Sequence, residues 1–332
     1  MSSSNDVRIG FIGSGFARRV QLPALAFVPG AKATAIASGR RDVDLVVVSS
    51  TPDSHARYAI AALEAGKHVL CEKPMALDGF EAAQMVTASA QHPDRLAWID
   101  HELRYEPNRR RARELIRSDA IGEVRHIELS LKPYLRGDGR AQASDAPWSW
   151  WSDASRGGGI LGAVGSHLID LCRFWTGSEI TYVAGLVETF VTQRTDDTGT
   201  VRPVTADDFA SCVLQTGSGA VATITLSAVA HHGPGHLGQV TGSEGTLVVS
   251  GETKLELGKA GGPLEDISAT DDLWERTKPN NMWARSFVRL MREMVQVIRG
   301  GTPHGEPATF RDGWQVQRVL DAIRGGRGVQ LD

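Results

Sequence analysis

The chain has 332 residues, 41% of them hydrophobic and 23% charged, with a formal net charge of -3. That length provides for two domains of ordinary globular composition, and the near-balanced charge removes any global electrostatic case for a nucleic-acid partner. Cys71, Cys172 and Cys212 lie in apolar stretches without metal-ligand spacing and read as buried thiols of a reducing compartment. With no basic and apolar leader at Met1 to Asn5 and no run approaching a membrane span, a cytoplasmic location without membrane contact is expected.

Val7 to Ile12 reads as a buried strand, and Gly13-Ser14-Gly15-Phe16-Ala17-Arg18 leads from it into a helical segment. Strand, glycine turn and helix N-terminus make a pyrophosphate cradle, because glycines let the backbone approach and the first helical amides face the anion. Gly13, Gly15, Phe16 and Ala17 are the expected contacts, although Arg18 stands where a third glycine is usual. A second strand, Lys32 to Ala37, ends in Ser38-Gly39-Arg40. An acid there would hold the adenosine ribose hydroxyls, whereas small polar groups with an arginine leave room and charge for a 2'-phosphate, so NADP is favoured over NAD.

The third strand, Asp44 to Ser50, follows after residues 39–43 alone. A parallel crossover takes a dozen or more residues. If both strands flank the first, the chain must travel back roughly 20 Å and sideways about 10 Å within that span. Either a helix-strand-helix portion of the usual unit is missing, shortening the domain, or the segment takes another path.

Thr51-Pro52-Asp53-Ser54-His55 opens a helix to about Ala65, stopped by Gly66, and adds Thr51, Pro52 and His55 to the expected cofactor contacts. Strand His68 to Cys71 delivers Glu72-Lys73-Pro74 at its carboxyl end, where open α/β sheets hold their ligands. Asp78 and Glu81 form a capping box for a helix to about Ala90. Strand Leu96 to Asp100, the stretch His101 to Tyr105 and a basic helix from Pro107 to about Ser118 follow, with Arg109 to Arg113 read as a solvated face. Alternating strands and helices indicate a doubly wound α/β sheet.

Past Gly122 long strands prevail, at Glu123 to Leu131, Tyr182 to Thr192, Phe209 to Thr216, Ala220 to Val229 and Gly238 to Ser250, as in a mostly antiparallel sheet with one exposed face. A glycine-led helix spans Gly165 to Trp175, and amphipathic helices are expected at Trp283 to Arg299 and Arg311 to Arg324. The domains are placed at 1–120 and 121–332, with the last helix returning to the first. Pro147 to Asp153 holds Trp148, Trp150 and Trp151, whose indole faces suit a saccharide ring, Trp150 being the expected contact. The run His231-His232-Gly233-Pro234-Gly235-His236 lacks an acidic or cysteine ligand set, so no metal is expected.

In this order, Gly13-Ser14-Gly15, Ser50-Thr51-Pro52-Asp53-Ser54-His55, Cys71-Glu72-Lys73-Pro74 and the run from Gly157-Gly158-Gly159 to Gly165-Ser166-His167-Leu168-Ile169-Asp170 resemble the glucose-fructose oxidoreductase/inositol dehydrogenase/MocA family over nearly the whole chain. The resemblance implies a nicotinamide-binding Rossmann domain and a C-terminal α+β domain with a large open sheet. It also implies redox chemistry on sugars, polyols or related hydroxy compounds, and homo-oligomers, dimeric or tetrameric, built through that sheet. By position, Lys73 would hydrogen-bond the reacting oxygen and help move its proton, Glu72 and Pro74 would shape the nicotinamide side, and His167 would be the catalytic histidine. Arg104 and Asp170 join Lys73, Trp150 and His167 as expected substrate contacts. Ala163 stands where many family dehydrogenases carry an aspartate. Redox-assisted glycoside hydrolysis and a non-catalytic NAD(P) sensor, as in galactose-pathway repressors, remain open beside the dehydrogenase reading.

Overall fold

Five apolar runs form a parallel sheet in the order β2-β1-β3-β4-β5: β1 (Val7–Ile12), β2 (Ala31–Ile36), β3 (Leu45–Val48), β4 (His68–Cys71) and β5 (Ala97–Ile99). The computed structural model describes residues 6–36, 42–132, 146–326 and 328–331. The central strand β3 reads as an unbroken apolar run because both its faces are covered, whereas β2 at the sheet edge keeps Lys32, Ala33 and Ile36 exposed. On one face Ile9, Phe11, Leu45, Val47 and Leu70 meet Phe287, Met291 and Met294 of a helix at Met282–Ile298. On the other, Val46, Val48, Val69 and Cys71 meet Ala59, Leu63, Ala82 and Met85 from helices at His55–Glu64 and Gly79–Gln91. Each large apolar side chain so buried contributes about 1.5–3 kcal/mol.

β2 and β3 do flank β1 from opposite sides, both parallel to it. Between them only Asp42, Val43 and Asp44 are described, and none is helical. Asp44 extends the β1 ladder instead: its amide donates to the Arg8 carbonyl at 2.8 Å, and its carboxylate takes the Arg8 guanidinium at 2.7 Å. Beside the His55–Glu64 helix a hollow of about 220 Å³ is walled by Gly10, Ala35, Val43, Val46, Tyr58 and Ala62.

The chain divides into two units, residues 1–106 with 271–317, and residues 107–270 with 318–332. In the first unit the residue 308–309 stretch closes the edge of β5, Ile99 donating its amide to the Ala308 carbonyl and Trp98 bridging to Thr309.

The second unit carries a nine-stranded sheet whose centre is β6 (Val124–Lys132) paired parallel with β11 (Val221–Ser227); every other pair is antiparallel. The residue 238–250 stretch divides into two strands, Gly235–Gly242 and Gly245–Ser250, around a turn at Ser243-Glu244. A helix at Pro107–Arg117 and another at Ser166–Thr176 belong to this unit and pack on each other. The basic run on the first of these is not uniformly solvated. Arg109 is fully buried, its Nη2 2.8 Å from His236 Nδ1 and 3.2 Å from the Gly251 carbonyl. Burial holds His236 well below the usual imidazole value, with Arg109 adding to it, so His236 Nδ1 accepts from the guanidinium.

Candidate active site

Gly13, at φ +102°, turns the chain from β1 into a helical segment that runs from Gly15 to Leu25. A Cβ on Gly13 would lie 2.2 Å from the Ser49 carbonyl oxygen, so only glycine lets the turn touch the end of β3. At Gly15 a Cβ would meet nothing within 4 Å. Ser14 and Gly15 are exposed, Phe16 is half-buried and Ala17 fully buried, which leaves open space before the first helical amides. An open glycine at a helix N-terminus beside strand ends fits a dinucleotide's pyrophosphate.

Thr51 and Pro52 lead from β3 into the helix that His55 begins. His55 is buried, its Nδ1 2.9 Å from the Pro74 carbonyl and its Nε2 3.1 Å from the Ser50 carbonyl. Each ring nitrogen faces a backbone carbonyl and the neutral ring donates to one of them, so His55 braces the turn at Pro74 or Ser50 beside the strand ends.

Lys73 leaves the end of β4 with its Nζ 5.9 Å from the Phe16 ring centroid and 3.9 Å from Glu72 Oε2. Behind it lies an acidic cluster. Gln21, fully buried, donates from Nε2 to Glu72 Oε1 at 2.8 Å and to Asp100 Oδ2 at 3.1 Å, while its Oε1 accepts from Ser49 at 2.5 Å. Glu72, Asp100 and Glu102 are all buried at carboxyl ends of parallel strands. Burial, first among the causes, raises all three carboxyls: Glu72 above the usual range, Asp100 well above it with help from Glu102 and Glu72, and Glu102 to about 8. Lys73 opposes the rise in each.

Such acids bind protons more tightly folded than unfolded. The stability they add is complete below the unfolded carboxyl value near 4.5 and is lost as pH rises through about 8. The urea midpoint is expected to fall as pH rises from about 4.5 to about 8. Glu102→Gln, which keeps the shape and removes the titration, is expected to gain about 2 kcal/mol at the alkaline end and nearly nothing near pH 5. Parallel midpoint curves for both proteins would remove Glu102 from this account.

In the second unit the run Gly157-Gly158-Gly159 folds against the aromatic loop. A Cβ on Gly158 would lie 2.6 Å from the carbonyl oxygens of both Trp150 and Trp151, so glycine is required by backbone-to-backbone approach. Asp207 caps the segment that follows, accepting from the Leu161 amide at 2.7 Å. His167, buried, sits one residue into the Ser166–Thr176 helix, and Ala163 is buried one turn earlier. Asp170 lies one turn after His167 with Arg173 Nη1 3.7 Å away, and Arg173 also grips Glu179 at 2.7 Å. Trp150 is half-buried, its ring centroid 5.4 Å from that of exposed Trp151, while Trp148 donates to the Pro203 carbonyl at 2.9 Å.

Among the expected site residues, Gly13, Gly15, Phe16, Ala17, Thr51, Pro52, Glu72, Lys73 and Pro74 gather at one end of the parallel sheet. Ser38, Gly39 and Arg40 lie outside the described residues. Arg104 is buried, with Nη1 on the Glu306 carbonyl at 3.0 Å and Nη2 on Asp312 at 3.2 Å, and it anchors the returning segment of its own unit. Gln21, Asp100, Glu102 and Asp207 were not expected. Only Gln21 had a local signal, as a polar residue four after buried Ala17 and four before buried Leu25 on one helical stripe.

The parallel sheet, glycine turn and strand-end lysine define an oxidoreductase of the NAD-binding Rossmann class. The chain belongs to the GFO/IDH/MocA family: the oxidoreductase family profile with NAD-binding Rossmann fold matches residues 36–101, and the GFO/IDH/MocA C-terminal domain profile matches residues 109–248. It is 33% identical over 305 residues to glucose-fructose oxidoreductase domain-containing protein 2 of Xenopus laevis, covering 86% of this chain and 75% of that one. An uncharacterized oxidoreductase of Synechocystis sp. is 29% identical over 364 residues, covering 98% and 95%. Among solved structures, an oxidoreductase domain protein from Kribbella flavida superposes with a TM-score of 0.86 at 28% identity, covering 99% of this chain and 100% of that one. Levoglucosan dehydrogenase in complex with NADH and levoglucosan shares the fold, with a TM-score of 0.84 at 22% identity and coverage of 98% and 99%. No helix among the described residues is long and apolar enough to cross a membrane.

Proposed function

We propose that the protein transfers hydride between a nicotinamide cofactor and a sugar-like or cyclic hydroxy or keto compound. The observation that carries this reading is Lys73 at the carboxyl end of β4, beside Phe16 and the open glycine turn, with carboxyls buried behind it. The cofactor, when bound, supplies the two-electron hydride chemistry. Gly13, Gly15, Phe16, Ala17, Thr51, Pro52 and Pro74 would hold and shape it. Lys73 hydrogen-bonds the substrate oxygen, stabilises the charge that develops there and moves its proton. His167 is assigned a second role in proton movement by its family position, with Trp150 and Asp170 assigned to the substrate. NADP(H) is preferred, because the sequence Ser38-Gly39-Arg40 that follows the second strand offers an arginine and no acid.

Fluorescence titration with NADPH and NADH, followed by a sugar and polyol panel read at the nicotinamide absorbance band, tests the reading. Tighter binding of NADPH with turnover of at least one panel member is expected; failure of both nucleotides to bind would sink it.

Assembly through the open sheet is part of the same proposal. β7 (Ile180–Glu188) and β10 (Phe209–Thr216) present Leu186 and Val213, 49% and 43% exposed, on the face opposite buried Val183 and Leu214. Leu186→Glu is expected to shift the light-scattering mass of the purified protein from oligomer toward monomer, and an unchanged mass would place the contact elsewhere.

A further inference from the structure

Two carboxyl groups that hydrogen-bond each other need one proton between them, since two carboxylates offer no donor. Gln21 holds the Glu72 and Asp100 carboxyls side by side, its Nε2 spending one amide hydrogen on Glu72 Oε1 at 2.8 Å and one on Asp100 Oδ2 at 3.1 Å. Among the described residues Asp100 Oδ1 is buried and has no hydrogen-bond partner, which suits a protonated carboxyl better than a buried carboxylate. Glu102 adds a third buried acid within electrostatic reach of Glu72 and Lys73. Three acids against one ammonium balance electrically when one carboxylate is ionised and two protons are held.

We propose that Glu72, Asp100 and Glu102 are a proton store for Lys73, with Gln21 and Ser49 fixing its geometry. The inference rests on the reading of Lys73 as the group that handles the substrate proton. In the oxidative direction the substrate C–H hydride leaves to the oxidised nicotinamide and the O–H proton enters the Lys73 nitrogen. As it does, one of that nitrogen's own protons passes to the ionised carboxylate of the store, Glu72 Oε2 lying 3.9 Å from Nζ. Reduction runs the same transfers backward, so protons and charge balance in both directions. Glu72, Asp100, Glu102 and Gln21 act through Lys73 and are positioning residues. Glu72, Asp100 and Glu102 all belong to unit 1.

Other ionisable groups stand on the elements around the store. Cys71, on β4 itself, is a buried thiol held protonated by its burial and by Glu72 and Asp100. His55, from the neighbouring helix, lies between the Pro74 and Ser50 carbonyls and is held below the usual imidazole value by burial. His101, Arg104 and Glu106 follow Asp100 in the chain and are buried, Arg104 against Asp312. From the helix packed on residues 102–105, Glu293 takes the amides of His304 and Gly305 while Arg285 and Arg289 are held by Asp271. Arg18 and Arg19, on the Gln21 segment, are exposed.

Infrared titration of the purified full-length protein reads the store without activity. Wild type at neutral pH should show the carbonyl stretch of protonated, buried carboxylic acid, reduced in both Asp100→Asn and Glu102→Gln. In Lys73→Met, which removes the opposing charge, the midpoint of that band should move up by about one pH unit or more. Absence of the band at neutral pH, or a midpoint blind to Lys73→Met, overturns the proposal even if the enzyme is active. With D-glucose or myo-inositol and NADP, Asp100→Asn should lose about 10- to 100-fold in kcat with KM and NADPH affinity within about twofold and a displaced pH profile. A kcat profile unmoved from wild type counts against it. Should wild type bind no nucleotide, the dehydrogenase reading fails on that result, while the infrared arms still decide whether the store exists.

Discussion

Lys73→Met is expected to lower kcat by about 10³-fold, near the middle of what a positioned proton-transfer group supplies, while the unfolding midpoint stays close to wild type. The asymmetry follows from where the side chain stands. The Lys73 side chain keeps about 15% of its surface exposed, and methionine can fill the same volume beside the Phe16 ring. Its removal leaves Glu72, Asp100 and Glu102 without a facing cation, which they meet by holding their protons more tightly rather than by unfolding the sheet. NADPH affinity should change by no more than a few-fold, because the glycine turn and helix amides remain. Retention of a tenth or more of wild-type kcat would take Lys73 out of the reaction.

Gly13→Ala should be the most damaging single methyl in the first unit. The position combines φ +102° with a Cβ 2.2 Å from the Ser49 carbonyl oxygen and 2.4 Å from the Ser50 amide nitrogen, both backbone atoms of the strand end. Relief requires β1 and β3 to part where they carry Ser49, the donor that orients Gln21. A loss of about 3–4 kcal/mol in urea unfolding is expected, from positive-φ strain plus overpacking. Gly15→Ala makes the contrast. It meets no atom, so its midpoint should match wild type, yet it places a methyl in the space assigned to the pyrophosphate and should weaken NADPH binding more than tenfold. Two alanines two residues apart thereby separate the glycine the fold needs from the one the ligand needs. Equal stability losses in both would contradict the geometry.

The strands were legible where apolar runs are bounded by turn residues. The Phe209 to Thr216 strand has the bounds its sequence implies, and His68 to Cys71 ends at Glu72-Lys73 as read. The Gly238 to Ser250 run looked like one long strand because Ser243-Glu244 is a short polar interruption, and pairing rather than composition makes it a hairpin. Side chains whose role depends on distant partners were not legible. Gln21 meets Glu72 and Asp100 across 51 and 79 residues of chain, and Arg104 meets Asp312 across 208. A polar residue reads as solvated until the fold supplies its partner, which is why Arg109 reads from sequence as part of a solvated face it does not occupy. The glycine run was read as an approach to His167, and its tighter cause, the carbonyls of Trp150 and Trp151, appears only in three dimensions.

The closure of β5 by residues 308–309 bears on how the chain is made. A ribosome delivers residues in order at about 5–20 per second, and domains ordinarily fold N-terminal first as they emerge. Here the Ile99 amide waits for the Ala308 carbonyl, and Phe11 and Leu45 wait for Phe287 and Met291. The second unit waits as well, since Val329–Gln330 adds the final strand to its sheet. Each unit is thus completed by a segment far downstream of its first strands, residues 271–317 for the first and 318–332 for the second, so neither can close on its N-terminal portion alone.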